Sequence, residues 1–273
     1  MFGAICGDII GSIYESNNIK SKNFELFTDK NRFTDDSVMT CAVALACSIY
    51  KEDKNIENFE KNCILCMKNL GLKYINAGYG GKFIYWILSK NPKPYNSYGN
   101  GSAMRVSPVA WIANSLEEVE ILAEKSARVS HNHPFGIIGA KAVASSIWLL
   151  LNGTSKEELK EYIQNKYYNL DFTLSEIRDK YVFDVSCQGS VPHAIVSFLE
   201  ATSFEDCIRN AISIGGDSDT IAAIAGSLAE AYYGVPDNIK DKALTYLDND
   251  LLKCVELANN CINVDLKFKN KKG

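Results

Sequence analysis

Asp-Ser-Val-Met-Thr-Cys-Ala-Val-Ala-Leu-Ala-Cys-Ser-Ile-Tyr, residues 36–50, sets the fold class of this chain. The run is rich in alanine, which gives up no side-chain entropy in a helix, and it opens with acids where a helix dipole favours them. Similar helical periodicity covers roughly residues 117–130, 136–152, 174–183, 191–202, 204–213, 219–233 and 238–262. Helix starts are marked by capping-box spacing, Ser115 with Glu118 and Ser155 with Glu158. Gly153 and Gly234 stand just past helix ends, with Pro236 beyond the second. No regular series of alternating strands competes, and neither solenoid-period repeats nor low-complexity segments occur. The expectation is an all-α chain in which residues 1–273 form a single compact multi-helix domain.

Composition bounds the function. A chain of 273 residues can bury a large core, and 23% charged with 47% apolar residues is a globular balance. The net charge of -4 leaves no excess of Lys or Arg to neutralise phosphates, which argues against a nucleic-acid backbone as main partner. The basic tail of Lys267, Lys269, Lys271 and Lys272 reads as a solvated end. The first residues lack the basic start of a secretory signal and meet an acid at Asp8. No stretch of about 18 uninterrupted apolar residues predicts a membrane span. Nine cysteines, an odd number with several inside apolar helical runs, fit small hydrophobes in a reduced cytoplasm. Cys63 and Cys66 form a C-x-x-C without a second pair at zinc spacing, so they read as core-facing positions on one helix.

Two glycine-rich segments break the helical rhythm, Asn76 to Lys82 and Asn91 to Ser107. Such loops are where a ligand would meet backbone groups. Neither contains an intact phosphate-loop motif, because Gly81-Lys82 is followed by Phe83.

The chemical signal lies at two helix starts. Thr34-Asp35-Asp36-Ser37 precedes the first helix, and Gly215-Gly216-Asp217-Ser218-Asp219-Thr220 precedes another almost two hundred residues later. Either alone is an ordinary N-cap with a dipole-complementing acid. Together they present four carboxylates and two hydroxyls, more than capping needs. Brought together, the acids would repel, and two hard divalent cations with oxygen ligands would cancel their charge. The expectation is a dinuclear metal site at converging helix N-termini, where ions about 3.5–4 Å apart hold a substrate oxygen and a water. Gly7-Asp8-Ile9-Ile10-Gly11-Ser12-Ile13-Tyr14-Glu15 starts as a small-residue helix and ends in a further carboxylate. By themselves Glu15 reads as an exposed acid and Asp8 as a structural hydrogen-bond acceptor. His133, before Pro134, and His193, inside an amphipathic helix, read as structural; His131 is open between a ligand contact and a buried imidazole. Arg105 could pair with an acid or reach a phosphate, and Tyr79 and Tyr98 either line a cleft or pack beneath their loops.

In this order the segments resemble the ADP-ribosylglycohydrolase family. The residues that carry the resemblance are Gly7-Asp8-Ile9-Ile10-Gly11 through Glu15, Phe33-Thr34-Asp35-Asp36-Ser37 and Gly78-Tyr79-Gly80-Gly81. They continue with Ser97-Tyr98-Gly99-Asn100-Gly101-Ser102-Ala103-Met104-Arg105-Val106 and Ser130-His131-Asn132-His133-Pro134. Ser190-Val191-Pro192 and the Gly215 to Thr220 motif complete the set. The resemblance implies an all-α domain with two Mg²⁺, or Mn²⁺ in some bacterial members. It implies Thr34, Asp35, Asp36, Asp217, Asp219 and Thr220 as ligands and Glu15 as the acid on a flap over the metals. Ser97, Tyr98, Gly99, Asn100 and Gly101 match the loop that wraps pyrophosphate and distal ribose. Gly80 joins them as a substrate contact, and His131 matches a histidine near the adenosine end. Ser37 stands where many members have Thr, and Phe135 where relatives of the bacterial type often carry an acid, which alters the rim that meets the acceptor.

The implied activity is hydrolysis of the glycosidic bond between C1 of the distal ribose of ADP-ribose and a modified acceptor, reversing ADP-ribosylation. Such cleavage develops oxocarbenium-like charge, and Asp35 or Glu15 would handle the proton. The implied partners are an ADP-ribosylated protein or small molecule, with ADP-ribose as product, a nucleic-acid acceptor left open, and a monomer as default. Rival readings are a non-catalytic ADP-ribose binder and a hydrolase of another ADP-ribose-containing small molecule. A helical phosphohydrolase is disfavoured because no histidine is followed by aspartate.

Overall fold

Fifteen helices account for the regular structure of residues 1–262, the part of the chain that the computed structural model describes, with side chains to residue 260. The first are α1 (Phe2–Gly11), α2 (Asp35–Asp53), α3 (Ile56–Lys73), α4 (Gly81–Leu88) and α5 (Gly101–Met104). Then follow α6 (Ser107–Ile112), α7 (Leu116–Arg128), α8 (Pro134–Leu151), α9 (Lys156–Lys166) and α10 (Leu174–Ile177). The last are α11 (Cys187–Leu199), α12 (Phe204–Ser213), α13 (Ser218–Tyr233), α14 (Asp237–Leu244) and α15 (Asn249–Ile262). An isolated antiparallel bridge between Gly99 and Ser186 is the only β-type pairing among the described residues. The all-α expectation holds; the lysine-rich tail lies outside the described residues.

Local chemistry explains where the elements begin and end. Ser155 and Glu158 form a complete capping box at α9. Ser115 caps α7 through the Glu118 amide, but the Glu118 carboxylate turns to the Asn114 amide and the Tyr50 hydroxyl instead. The single helix expected over 238–262 is two, because Asp248 accepts the amides of Asp250 and Leu251 and so caps a fresh start at α15. The helix expected over 174–183 is only the single turn α10. Beyond it the chain passes through turns and extended backbone to the Gly99 bridge. Helix α11 begins earlier than its expected start at 191, capped by the Ser186 hydroxyl on the Gly189 amide, and carries Pro192 in its interior.

Helix α13 is the axis of the core. All of it except Tyr232 and Tyr233 is buried, and α1, α8, α11 and α12 pack around it. The contact with α1 is backbone against backbone. A Cβ built on Gly3 would lie 2.1 Å from the Gly226 carbonyl oxygen, one on Gly7 2.1 Å from that of Ala222, and one on Gly11 2.5 Å from the Asp219 Cα. Only glycine permits this approach. Glu230, buried near the far end of α13, pins the start of α1 by accepting from the Met1 amino group and the Phe2 and Gly3 amides. The end of α1 is thereby delivered to the beginning of α13. Helix α8 is the one described helix long and apolar enough, by length and composition, to cross a membrane. It packs on α7, α13, α5 and α11, the position of a core helix. Cys63 and Cys66 are both buried on α3, and no disulfide joins the described cysteines.

Candidate active site

The amino ends of α2 and α13 meet beside the carboxyl end of α1. Asp8 on α1 braces the start of α2: its Oδ1 accepts the Thr34 hydroxyl at 2.6 Å, and its Oδ2 accepts the Thr34 amide at 2.9 Å. The Ser37 amide, at 3.1 Å, and the Ser37 hydroxyl also donate to Oδ2. These four bonds account for the serine at position 37 as a structural hydroxyl. Around this brace lies a cleft of about 380 Å³. Glu15, Thr34, Asp35, Asp36, Asp217, Asp219 and Thr220 line it, together with Gly80, Ser97, Gly99, Asn100, Gly101, Arg105, His131 and others.

The carboxylates fall into two overlapping trios. Oxygens of Asp8, Asp36 and Asp219 lie within 4.8 Å of one another, and so do those of Glu15, Asp217 and Asp219. Asp219 belongs to both. The Thr220 hydroxyl donates to Asp36 Oδ2 at 3.1 Å, while Asp36 Oδ1 is buried with no hydrogen-bond partner. An orphaned carboxylate oxygen inside a protein is costly. An all-oxygen donor set with this orphan fits a hard divalent cation such as Mg²⁺ or Mn²⁺. Asp35 lines the cleft without joining either trio. No ion pair among the described residues involves any of the six acids.

Burial raises the whole set, and repulsion from neighbouring acids adds to it at Glu15, Asp35, Asp36 and Asp219. Asp35 is pushed up to about 8, by burial first and then by Asp8 and Asp217. Burial drives Asp36 and Asp219 well above the carboxylate range, with Asp8 next for Asp36 and Asp217 next for Asp219. Glu15 is raised by burial and Asp217, against the opposing charge of Arg32 at the cleft mouth. A raised carboxylate contributes stability that is complete below its unfolded pKa and is lost as pH rises through the folded one. For Asp35 that window runs from about 4 to about 8. Protein treated with EDTA is therefore expected to lose ~2 kcal/mol between pH 6 and 8 from this group, lowering Tm by about 5 °C. Differential scanning calorimetry tests this; added Mg²⁺ or Mn²⁺ at pH 8 is expected to restore Tm, and Asp35→Asn to flatten the pH slope. An EDTA-treated wild type with the same Tm at both pH values contradicts it.

The polar and aromatic side chains around the cleft each take a definite place, with His133, His193 and Tyr79 in structural roles. Asn100 turns its amide to Asp217 Oδ2 at 2.7 Å and to the Ser190 hydroxyl at 2.9 Å, so its side chain holds an acid in place. Tyr98 is 53% exposed and outside the cleft lining, its ring edge-on to His133. Tyr79 packs beneath its loop on Phe83. Phe135 is exposed at the rim beside His133, and His133 caps α8 by accepting the Phe135 amide on Nδ1. His193 packs between Phe172 and Tyr181.

The glycines of the second motif, and residues outside any motif, also shape the site. Gly215 and Gly216 turn the chain into α13 with successive φ values of +70° and +77°, which favour glycine. Asn18 clasps that turn, accepting the Gly216 amide at 2.6 Å and donating to the Gly216 and Glu15 carbonyls at 2.9 Å each. Lys20 adds bonds to the Tyr181 and Ile214 carbonyls. The segment bearing Glu15 is thus tied to the turn bearing Asp217. Nothing in the polar run around residue 18 marks that clasp in advance, because its partners are backbone atoms almost two hundred residues away.

An all-helical protein with a carboxylate-lined cleft at converging helix N-termini is the class that this fold and site define. The chain belongs to the ADP-ribosylglycohydrolase family, whose profile matches residues 1–267. It is 27% identical to the ADP-ribosylhydrolase ARH3 of Mus musculus over 333 aligned positions, covering 92% of this chain and 88% of that protein. It is 26% identical to the ADP-ribosyl-[dinitrogen reductase] glycohydrolase of Rhodospirillum rubrum, covering 80% of this chain and 74% of that one. A solved structure titled ADP-ribosylglycohydrolase-related protein complex superposes with a TM-score of 0.60. That match covers 97% of this chain and 95% of the other at 20% identity, a likeness of fold. The chain is a glycohydrolase.

Proposed function

We propose that this enzyme cleaves the glycosidic bond between C1 of the distal ribose of ADP-ribose and a modified acceptor, using two divalent cations, Mg²⁺ or Mn²⁺. The observation that carries this is the pair of carboxylate trios sharing Asp219, in one cleft with a glycine-rich loop. Thr34, Asp35, Asp36, Asp217, Asp219 and Thr220 would hold the ions. When bound, two such ions supply Lewis acidity toward ribose hydroxyls and a water. The protein's own groups suit the rest of the chemistry. Thr34 commits its hydroxyl proton to Asp8, which leaves a lone pair free on its oxygen. Asn100 donates to one Asp217 oxygen and so fixes that carboxylate within its trio. Glu15 and Asp35 are the less buried acids of the cluster, and both are raised above the usual carboxylate range, Asp35 to about 8. A carboxylate tuned in this way can take a proton from the attacking water or hold one for the leaving group. The Ser97 to Gly101 loop lines the cleft where the phosphates would lie, its Gly99 and Asn100 amides already bonded to the Ser97 hydroxyl and the Val185 carbonyl, and His131 sits against Gly99 and Gly101. The substrate is an ADP-ribosylated protein or small molecule, and ADP-ribose is the product.

The test is a panel of defined ADP-ribosylated peptides and small molecules, each incubated with Mg²⁺, Mn²⁺ or EDTA. Chromatography should detect free ADP-ribose with either metal and at least about 100-fold less with chelator. Release of AMP or inorganic phosphate, or turnover indifferent to EDTA, overturns the proposal.

A further inference from the structure

Arg105, just past α5, is 1% exposed and has no carboxylate partner among the described residues. Its terminal Nη2 donates instead to the Ser126 carbonyl and to the Ser130 hydroxyl, both at 2.9 Å. A guanidinium can only donate, so the Ser130 oxygen is the acceptor. That leaves the Ser130 proton to place. Its one neighbouring acceptor is Nδ1 of His131, at 2.8 Å. Were Nδ1 protonated, the serine proton would be stranded at a fully buried position, a costly arrangement. The chain of donors therefore runs one way, from Arg105 to Ser130 to His131, and puts the imidazole proton on Nε2.

Position gives that proton a use. Ser130 and His131 hang from the end of α7, both amides bonded to the Ala127 carbonyl. His131 is 5% exposed and lines the cleft. Its Nε2 would lie 3.1 Å from a Cβ on Gly101 and 3.5 Å from one on Gly99, so the ring nitrogen sits directly under the glycine-rich loop. Burial and the Arg105 charge hold the imidazole well below its usual pKa, in keeping with a neutral ring.

We infer that Arg105 and Ser130 are positioning residues that lock His131 as its Nε2–H tautomer, presenting a neutral hydrogen-bond donor to an oxygen or ring nitrogen of the nucleotide under the Gly99–Gly101 loop. The ligand half rests on the proposed function; the tautomer half does not. The two are read separately by ¹⁵N–¹H long-range correlation NMR of the full chain labelled at histidine. With three histidines, single replacements assign the signals. Wild type is expected as the Nε2–H tautomer from pH 5.5 to 8, and Ser130→Ala as a mixture of the two tautomers. Titration with ADP-ribose is expected to shift His131, and Ser130→Ala to raise KM about 10-fold while changing kcat less than about 2-fold. A wild-type Nδ1–H tautomer, or an unchanged tautomer in Ser130→Ala, overturns the relay. ADP-ribose that binds elsewhere in the spectrum but leaves His131 unmoved overturns the ligand contact. ADP-ribose that perturbs nothing sinks the functional reading and that contact with it, while the tautomer still reports on the relay.

Discussion

Asp35→Asn and Asp217→Asn are each expected to lower turnover by roughly 10³-fold or more, about 4 kcal/mol of lost transition-state stabilisation. The substitutions change charge and little else. Asp217 belongs to the trio with Glu15 and Asp219, and Asn100 donates to one of its oxygens. An amide at 217 can keep that bond through its carbonyl while losing the anionic oxygen a cation would need. Asp35 lines the same cleft and is raised to about 8 by burial first and then by Asp8 and Asp217, so an amide there removes a group that can take or hold a proton. Both variants should bind less metal, measured by calorimetric titration of Mn²⁺ into EDTA-treated and dialysed protein. Their Tm in EDTA should equal or exceed that of wild type, because each removes a member of a self-repelling buried cluster. That pairing separates lost chemistry from lost folding. Full turnover and full metal content in both variants contradict the assignment of this cluster.

Much of the architecture was legible because its signals are local. Helix α12 spans the expected 204–213, and α2 and α13 lie where alanine-rich runs follow acidic starts. The misses have equally local causes. Asp248 looked like one more polar residue in a continuous amphipathic run until its carboxylate proved to cap a new helix. Helices α4, α5 and α6 are too short for periodicity to register. Four acids of the site could be named from sequence because four carboxylates exceed any capping need; Glu15 entered only through the family resemblance, and Asp8 read as a structural acceptor although it also joins a trio. Their convergence could not, since it depends on Gly3, Gly7 and Gly11 meeting the backbone of α13. Side-chain direction was likewise hidden. Spacing places Tyr98 and Asn100 in one loop, but only the fold turns the ring outward to His133 and the amide inward to Asp217. Arg105, open beforehand between an acid and a phosphate, instead satisfies a carbonyl at the end of α7 and the Ser130 hydroxyl.

Gly7→Ala is expected to lower Tm by about 8 °C, corresponding to ~3 kcal/mol for a chain of this size, even though alanine is the better helix former. The added methyl would start 2.1 Å from the Ala222 carbonyl oxygen and 2.4 Å from its carbon. These are backbone atoms of a buried helix and cannot rotate aside as a side chain would. Nor can α1 tilt away at one point. Glu230 holds its first residues, and Gly11 is pressed against Asp219 at its end. Relief therefore requires the two helices to part along their length, which moves Asp8 relative to Asp219 and loosens the carboxylate trio they share with Asp36. Loss of stability and loss of metal affinity should appear together in this variant, unlike the acid-to-amide variants, where they separate. Gly81→Ala is the control: a Cβ there meets nothing within 4 Å and the position opens α4, so Tm should stay within about 1 °C. A Gly7→Ala protein as stable as Gly81→Ala would mean that α1 and α13 have room between them, and that the site is not held together by their contact.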